Sequence, residues 1–412
     1  MTVYVLVFLA VFAYVSWRNL RVGLYLILMF VPTYLLRLNV LGVPTTVLEL
    51  MIYVAALIWL WRWWRRHIRL ELGGLRAYIW PLAALGAGLA IGVWVAPDWM
   101  SALGIIKGWF FDPLLLAWLM VTTLSQVLHI KKSIAALCLS GLFLSAVAIW
   151  RVVSSHTLTI DGRASAFLDS ANYLALYLVP IIVLGVVLLI LVPARWRWWV
   201  GGSLVVMLGA LYLTLSYAGW LALALGLVVL GLVVLRSAWP IIAGVAVLGL
   251  VGLSQWQHPK FQQMLDLVGR SSSHVRIQTW QTSWLMIREH ALTGIGLGAF
   301  ESRYSEFATR LFSPPLESSV LHPHNVLLHF LTNTGVVGLL GWVGVVGIFA
   351  RDAWAALHHH RLLAAGLLAA MSALLAHGLL DGAYFKNDLA VVFWVLVAFA
   401  IILSRLSNTS RT

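Results

Sequence analysis

The chain is a succession of long apolar runs, at 2–17, 22–36, 44–61, 77–96, 103–121, 133–150, 169–192, 197–215, 218–235, 238–254, 324–350, 361–380 and 387–404. Each is about 15–25 residues long, enough for an α-helix to cross the hydrocarbon core of a bilayer. Within lipid, an open-ended segment must satisfy its own backbone polar groups, and only the helix does so. Apolar residues make up 62% of the chain and charged residues 10%, which leaves no room for a soluble domain. The first two runs are short enough to form a hairpin. The expectation is therefore an all-α polytopic protein of about 12–13 transmembrane helices, one integral membrane domain over 1–412.

Charge placement orients such a chain. The formal net charge is +13, and an excess of this kind can signal nucleic acid. Here the basic residues sit in short connectors: 18–21, 62–76, 129–132, 194–197, Arg236, 351–361 and the Arg405–Arg411 tail. That is the pattern of cytoplasmic loops, so membrane lipid and not nucleic acid is the expected environment. The connectors 37–43, 97–102, 151–168, 214–217, 255–323 and 381–386 then face outward. The single cysteine, Cys138, lies in an apolar run and excludes a disulfide framework and a cysteine metal site. Val3 to Trp17 lacks a basic leader and a cleavage signal, and reads as a retained segment.

The connector 255–323 is far longer than ordinary loops and is expected to be functional. "SSSHVRIQTWQTSWLMIREH" places Ile277, Trp280, Trp284 and Ile287 on one helical face, with Ser272 or Ser273 as N-cap. "AFESRYSEFATRLF" does the same with Phe300, Tyr304, Phe307 and Leu311, and "TGIGLGAF" supplies three glycines for a reversal between them. The expectation is an outer lid of amphipathic helices. The stripe Gly335, Gly338, Gly341, Gly344 and Gly347 suits close helix packing in lipid.

Charges beside membrane helices are costly and point to function. Those on the outward side are Lys107, Asp98, Asp112, Arg163, Asp169, Asn172, Arg270, Arg276, Arg288, His322, His324, Asn325, His377 and Asp381. Arg163, Arg276 and Lys107 form a cation set suited to a diphosphate. The bland alternatives are that Arg163 pairs with Asp161 or Asp169, and that Lys107 snorkels or pairs with Asp112. His324, beside Pro323 at the first turn of a membrane helix, should be held neutral by the helix end and nearby arginines, as a general base requires. The same place could bind phosphate, or His322 and His324 could ligate a metal or merely cap the helix. His377 and Asp381, four apart, would share a helix face and either orient an imidazole or sugar hydroxyl, or close the helix end. Asn325, His322, His377, Asp381 and Arg288 are expected to orient substrate or support the site.

Together "HPHNVLLHFLTNTGVVGLLG", "RIQTWQTSWLMIREHALTGIGLGAF" and "GRASAFLDSANYLALYLVP" resemble the O-antigen ligase superfamily, which groups O-antigen ligases, Wzy-type polysaccharide polymerases and protein O-oligosaccharyltransferases. The resemblance implies a GT-C-type glycosyltransferase fed by undecaprenyl-diphosphate-linked glycan on the outer face of the bacterial cytoplasmic membrane. It further implies His324 as base, Arg163 and Arg276 on the diphosphate, no metal and no cofactor, and a glycan, lipid-core or protein hydroxyl as acceptor. Asn333 stands where many members carry an acid, and Ala218 where many carry arginine. A Wzy-type polymerase and a lipid-linked oligosaccharide flippase or exporter are the alternatives; a transporter would want polar residues at the midplane and a repeat, and neither is evident.

Overall fold

The computed structural model describes residues 2–40, 42–65, 74–156, 159, 161–265 and 271–409. Arg270 and part of the basic connector 62–76 lie outside them. The helices are α1 Thr2–Arg18, α2 Leu20–Met29, α3 Val47–Trp64, α4 Ile79–Trp94, α5 Trp99–Ile105, α6 Asp112–Thr123, α7 Val127–Val153, α8 Ala171–Leu191, α9 Ala194–Leu213, α10 Tyr217–Leu235, α11 Trp239–Ser254, α12 Pro259–Leu265, α13 Ser272–Glu289, α14 Phe300–Ala308, α15 Val326–Gly378 and α16 Asn387–Thr409. A π-helical turn, Ile106–Phe111, joins α5 to α6 into one length from Trp99 to Thr123.

Eight of the described helices are long and apolar enough to cross a membrane. One of these, α15, has 53 residues, roughly 80 Å at 1.5 Å per residue and far more than one bilayer needs. Its backbone leaves helical geometry at Gly335 (φ 62°, ψ −172°) and again at His360 (φ −130°, ψ 47°), the latter separating two long stretches. The 20-residue α9 and the shorter apolar helices Val3–Arg18, Leu20–Met29 and Trp239–Ser254 complete an all-α polytopic membrane protein.

Three local expectations need correction. The connector 37–43 is not plain loop: β1 Arg37–Val40 and β2 Val43–Thr46 pair antiparallel in a small hairpin. Residues 351–359, read as a connector, continue α15, because helix-forming alanines there outweigh the scattered charges. Finally, the buried face of α13 is not the one expected. Of the expected face Ile287 is buried and Trp280 half-buried, but Ile277 and Trp284 are exposed at 44% and 57%, while Thr279, Thr282, Ser283 and Met286 are buried. Thr279, Thr282 and Ser283 donate their hydroxyls to carbonyls four residues back, at 2.8, 2.9 and 2.6 Å. Closed in this way, small hydroxyl residues bury cheaply and let α13 lie close to its neighbours.

Two features position the site. The first is the centre of the bundle: α16 and α8 are its most enclosed helices, with 83% and 78% of their most apolar stretches buried. The segments entering them, 379–386 and 161–170, are therefore drawn together at one end. The second is the docking of the 255–325 connector on that end. The α13–α14 unit has its own core of Met286, Phe300, Tyr304, Phe307 and Val320, separate from that of the bundle. It is latched to α15 at Gly335, whose φ of +62° breaks the helix. Val336 N donates to Ala291 O at 2.9 Å and Ile295 N to Thr332 O at 2.8 Å across the break. A side chain at Gly335 would overlap the Leu292 carbonyl, so only glycine serves. Gly294, Gly296 and Gly298, all at positive φ, form the reversal that inserts there. Further along α15, Gly338, Gly341 and Gly344 give the close approach to α4 that the stripe suggested, whereas Gly347 faces open space.

A candidate active site around Asp381

Asp381 is buried in the turn after α15 and carries the site. Its Oδ1 accepts from His324 Nδ1 at 3.1 Å, His322 Nε2 at 3.3 Å and Gly382 N at 2.9 Å. Its Oδ2 accepts from Asn172 Nδ2 at 3.0 Å and lies 3.9 Å from an Arg276 nitrogen. Asn172 Oδ1 in turn accepts from Arg163 at 3.4 Å, and Arg163 is paired with Asp161 at 2.7 Å. Burial alone would raise the Asp381 pKa; the hydrogen bonds from His322 and His324 outweigh it and hold the carboxyl well below 3.8.

An ionised carboxylate only accepts, so both imidazole nitrogens that reach it carry protons. That fixes His324 as the Nδ1–H tautomer and leaves Nε2 with its lone pair. Burial lowers the His324 pKa from 6.5, Asp381 opposes this, and His322 and Arg276 add to the lowering. The result is a neutral imidazole with a carboxylate behind it, poised to stabilise the imidazolium once a proton arrives. The His324 backbone is held at φ +51°, a region sparsely used by non-glycine residues. Trp280 Nε1 donates to its carbonyl at 3.4 Å, so α13 fixes the strained residue.

His324 opens on a cavity of about 690 Å³ whose lining includes Arg163, Lys260, Arg276, Ala218 and Trp280. Three cations and one imidazole line a space large enough for a substrate headgroup. Lys260 was not singled out from the sequence. It lies 3.9 Å from Asp161, and burial with Arg163 and Arg276 nearby lowers its pKa from 10.5 against the pull of Asp161. It lines the same cavity as Ala218, the position that lacks the expected arginine.

Several expected residues take other places. His324 precedes the helix it was thought to start: α15 begins at Val326, and Asn325 is its N-cap, its Oδ1 accepting from Leu327 N at 3.0 Å and Leu328 N at 3.1 Å. The asparagine thus satisfies the helix end, and the neutral imidazole owes its state to burial and neighbouring cations instead. Lys107 pairs with Glu49 at 2.7 Å and donates to Pro44 O at 2.5 Å, away from the cavity and not with Asp112. Arg288 is exposed near the far end of α13, twelve residues and roughly 18 Å of helix from Arg276. His377 does not share a face with Asp381, because α15 ends at Gly378. Its ring nitrogens find no hydrogen-bond partner among the described residues. The N-cap of α13 is Ser271, whose Oγ accepts from His274 N at 3.2 Å.

The ligand atoms of His322, His324 and Asp381 lie within 4.8 Å of one another, so this trio is the described group able to hold a metal ion. Doing so would require the nitrogens now donating to Asp381 to give up their protons, with Arg276 close by.

The sequence model of the O-antigen ligase family matches residues 202–343, from α9 to the first part of α15, and includes Lys260, Arg276, His322 and His324. The O-antigen ligase of Salmonella typhimurium (strain LT2) is 27% identical over 165 residues, covering 35% of this chain and 39% of that relative. The aligned stretch thus spans well under half the length of the curated relative. Both matches support the resemblance carried by the sequence motifs: this membrane protein is similar to O-antigen ligases over part of its length.

Proposed function

We propose that this protein is a GT-C-type glycosyltransferase of the bacterial cytoplasmic membrane, moving a glycan from undecaprenyl diphosphate to an acceptor hydroxyl on the outer face. One observation carries the reading: the imidazole that donates to Asp381 at 3.1 Å lines the same cavity as Arg163, Lys260 and Arg276. His324 Nε2 takes the proton of the acceptor hydroxyl, and that oxygen bonds to the anomeric carbon. The bond from this carbon to the diphosphate oxygen breaks, and the electron pair leaves with the diphosphate. The guanidinium groups meet the charge that grows there, usually the largest contribution available to such a step. In this scheme the arginines and Lys260 do what a metal would do, and the His322–His324–Asp381 trio serves proton transfer.

The description shared by both matches favours ligation over polymerisation. The polar network sits at helix ends (the caps of α8, α13 and α15) and not along helix centres, which favours an enzyme over a flippase. The basic connectors support an outward-facing site. The test is transfer by purified protein from polyprenyl-diphosphate oligosaccharide to lipid-core, glycan and protein acceptors, with and without a chelator. Glycan transfer indifferent to chelation is expected. Loss of transfer on chelation would assign the trio to a metal, and donor flipping without transfer would make the protein a transporter.

A further inference from the structure

The imidazole pair has a second side. His322 lines a cavity of about 320 Å³ that shares no lining residue with the larger one. The two rings are 4.3 Å apart and meet on one oxygen of Asp381, so they form a partition between the two spaces. The chemistry differs across it. Arg163, Lys260, Arg276 and Glu317 line the larger one, with Asp161 and Asp381 beside the cations. In the smaller, Arg37 and Lys386 are balanced by Asp169 and Glu301. The larger lining offers a diphosphate two guanidinium groups and an ammonium, the smaller one guanidinium and one ammonium.

The smaller cavity also presents polar atoms that the protein leaves unmatched. His329 is 8% exposed, and its Nδ1 has no hydrogen-bond partner among the described residues. Lys386 Nζ likewise has no hydrogen-bond acceptor there, although it lies 3.6 Å from Asp169 and 3.9 Å from the Tyr173 ring centre. Buried polar atoms are costly unless something bonds to them. Beside them lie the rings of Trp109 and Phe385, the latter stacked on His329 at 3.7 Å. Flat apolar faces next to hydrogen-bonding atoms suit a sugar ring, with C–H faces on the aromatics and hydroxyls on the polar groups.

We infer that the smaller cavity receives the acceptor sugar, its hydroxyls bonding to Lys386 Nζ and His329 Nδ1, while the diphosphate donor occupies the larger one. This assignment rests on the glycosyl-transfer reading above. The acceptor hydroxyl reaches the donor at the partition, where His324 takes its proton.

The test uses the full-length protein with polyprenyl-diphosphate oligosaccharide as donor and a lipid-anchored core oligosaccharide as acceptor. Lys386→Met keeps the stem and removes the ammonium. Leu321→Trp, at a rim residue 67% exposed, narrows the mouth without touching a buried contact. Both variants should raise the acceptor KM, Lys386→Met by about tenfold or more, the scale of a lost charge-assisted hydrogen bond. Donor KM should stay within about twofold, and Lys260→Met should give the reverse split, raising donor KM alone. An unchanged acceptor KM in both second-cavity variants, or a rise in donor KM instead, would overturn the assignment while leaving glycosyl transfer intact. A wild-type protein that transfers nothing would overturn the underlying reading, and the assignment with it.

Discussion

Of two ionic networks at helix ends among the described residues, one is closed within the fold and the other lines a cavity. In the first, Glu49 Oε2 accepts from Thr45 Oγ1 at 2.7 Å, Thr46 N at 3.2 Å and Lys107 Nζ at 2.7 Å. Thr46 and Glu49 form a capping box for α3, and Lys107 ties that cap to the π-helical turn before α6. Each of these polar atoms is spent on another part of the fold. In the second, Asp381 gathers two imidazoles, an amide and a guanidinium, yet His324, Arg163 and Arg276 also line a cavity. Charge within a membrane protein is therefore not by itself a sign of function. What distinguishes the networks is closure, and closure depends on partners far away in the chain.

The comparison is tested hardest at His324. His324→Ala removes the base from the open network and should lower kcat by about 10²–10⁴-fold, the usual contribution of general acid–base catalysis. Donor binding and detergent-extractable yield should stay near wild type, and transfer at the wild-type rate would remove His324 from the chemistry. Asp381→Asn is the next largest. It keeps the shape but loses the charge that favours the imidazolium, at a cost in kcat of about 10–100-fold. The pH profile separates this from a folding defect. A base with a lowered pKa is active above that value and lost as pH falls through it, so the wild-type acid limb should lie below 6.5. Asp381 is the influence that raises His324, so Asp381→Asn should move that limb to lower pH still. A limb that stays in place or moves up would mean that another group limits the reaction.

Much of this was legible in the sequence, for reasons that differ by element. The membrane helices follow from apolar length, which no tertiary contact needs to supply. The connector helices α13 and α14 and the glycine reversal between them follow from helical spacing and positive-φ demand, although the cap of α13 falls one residue earlier than read. The partner of His324 was not assigned, because spacing of four tied Asp381 to His377, and the helix ends one residue after His377. The true pairing spans 57 residues and depends on how α15 folds back, which no local pattern encodes. The cap at Asn325 carried a usable signal, an asparagine immediately before an apolar run, but Pro323 drew attention to the wrong start. Lys260 had none: a lone lysine in a polar stretch becomes part of the cavity only through the docking of α12 near Asp161.

The smallest expected effect on activity belongs to the closed network, and it completes the contrast. Lys107→Met retains the stem but leaves Glu49 without its cation. Glu49 is 5% exposed and Lys107 26%, so the cost falls between an exposed pair and a fully buried one, roughly 1–3 kcal/mol. The variant should aggregate at a lower temperature on heating, and addition of donor should not restore it preferentially. The fraction that remains folded should turn over within about twofold of wild type, because no atom of this network reaches the cavity around His324. A large rise in donor KM with unchanged thermal behaviour would instead place the Lys107 ammonium on the diphosphate, and would show that the Glu49 pairing opens when substrate arrives.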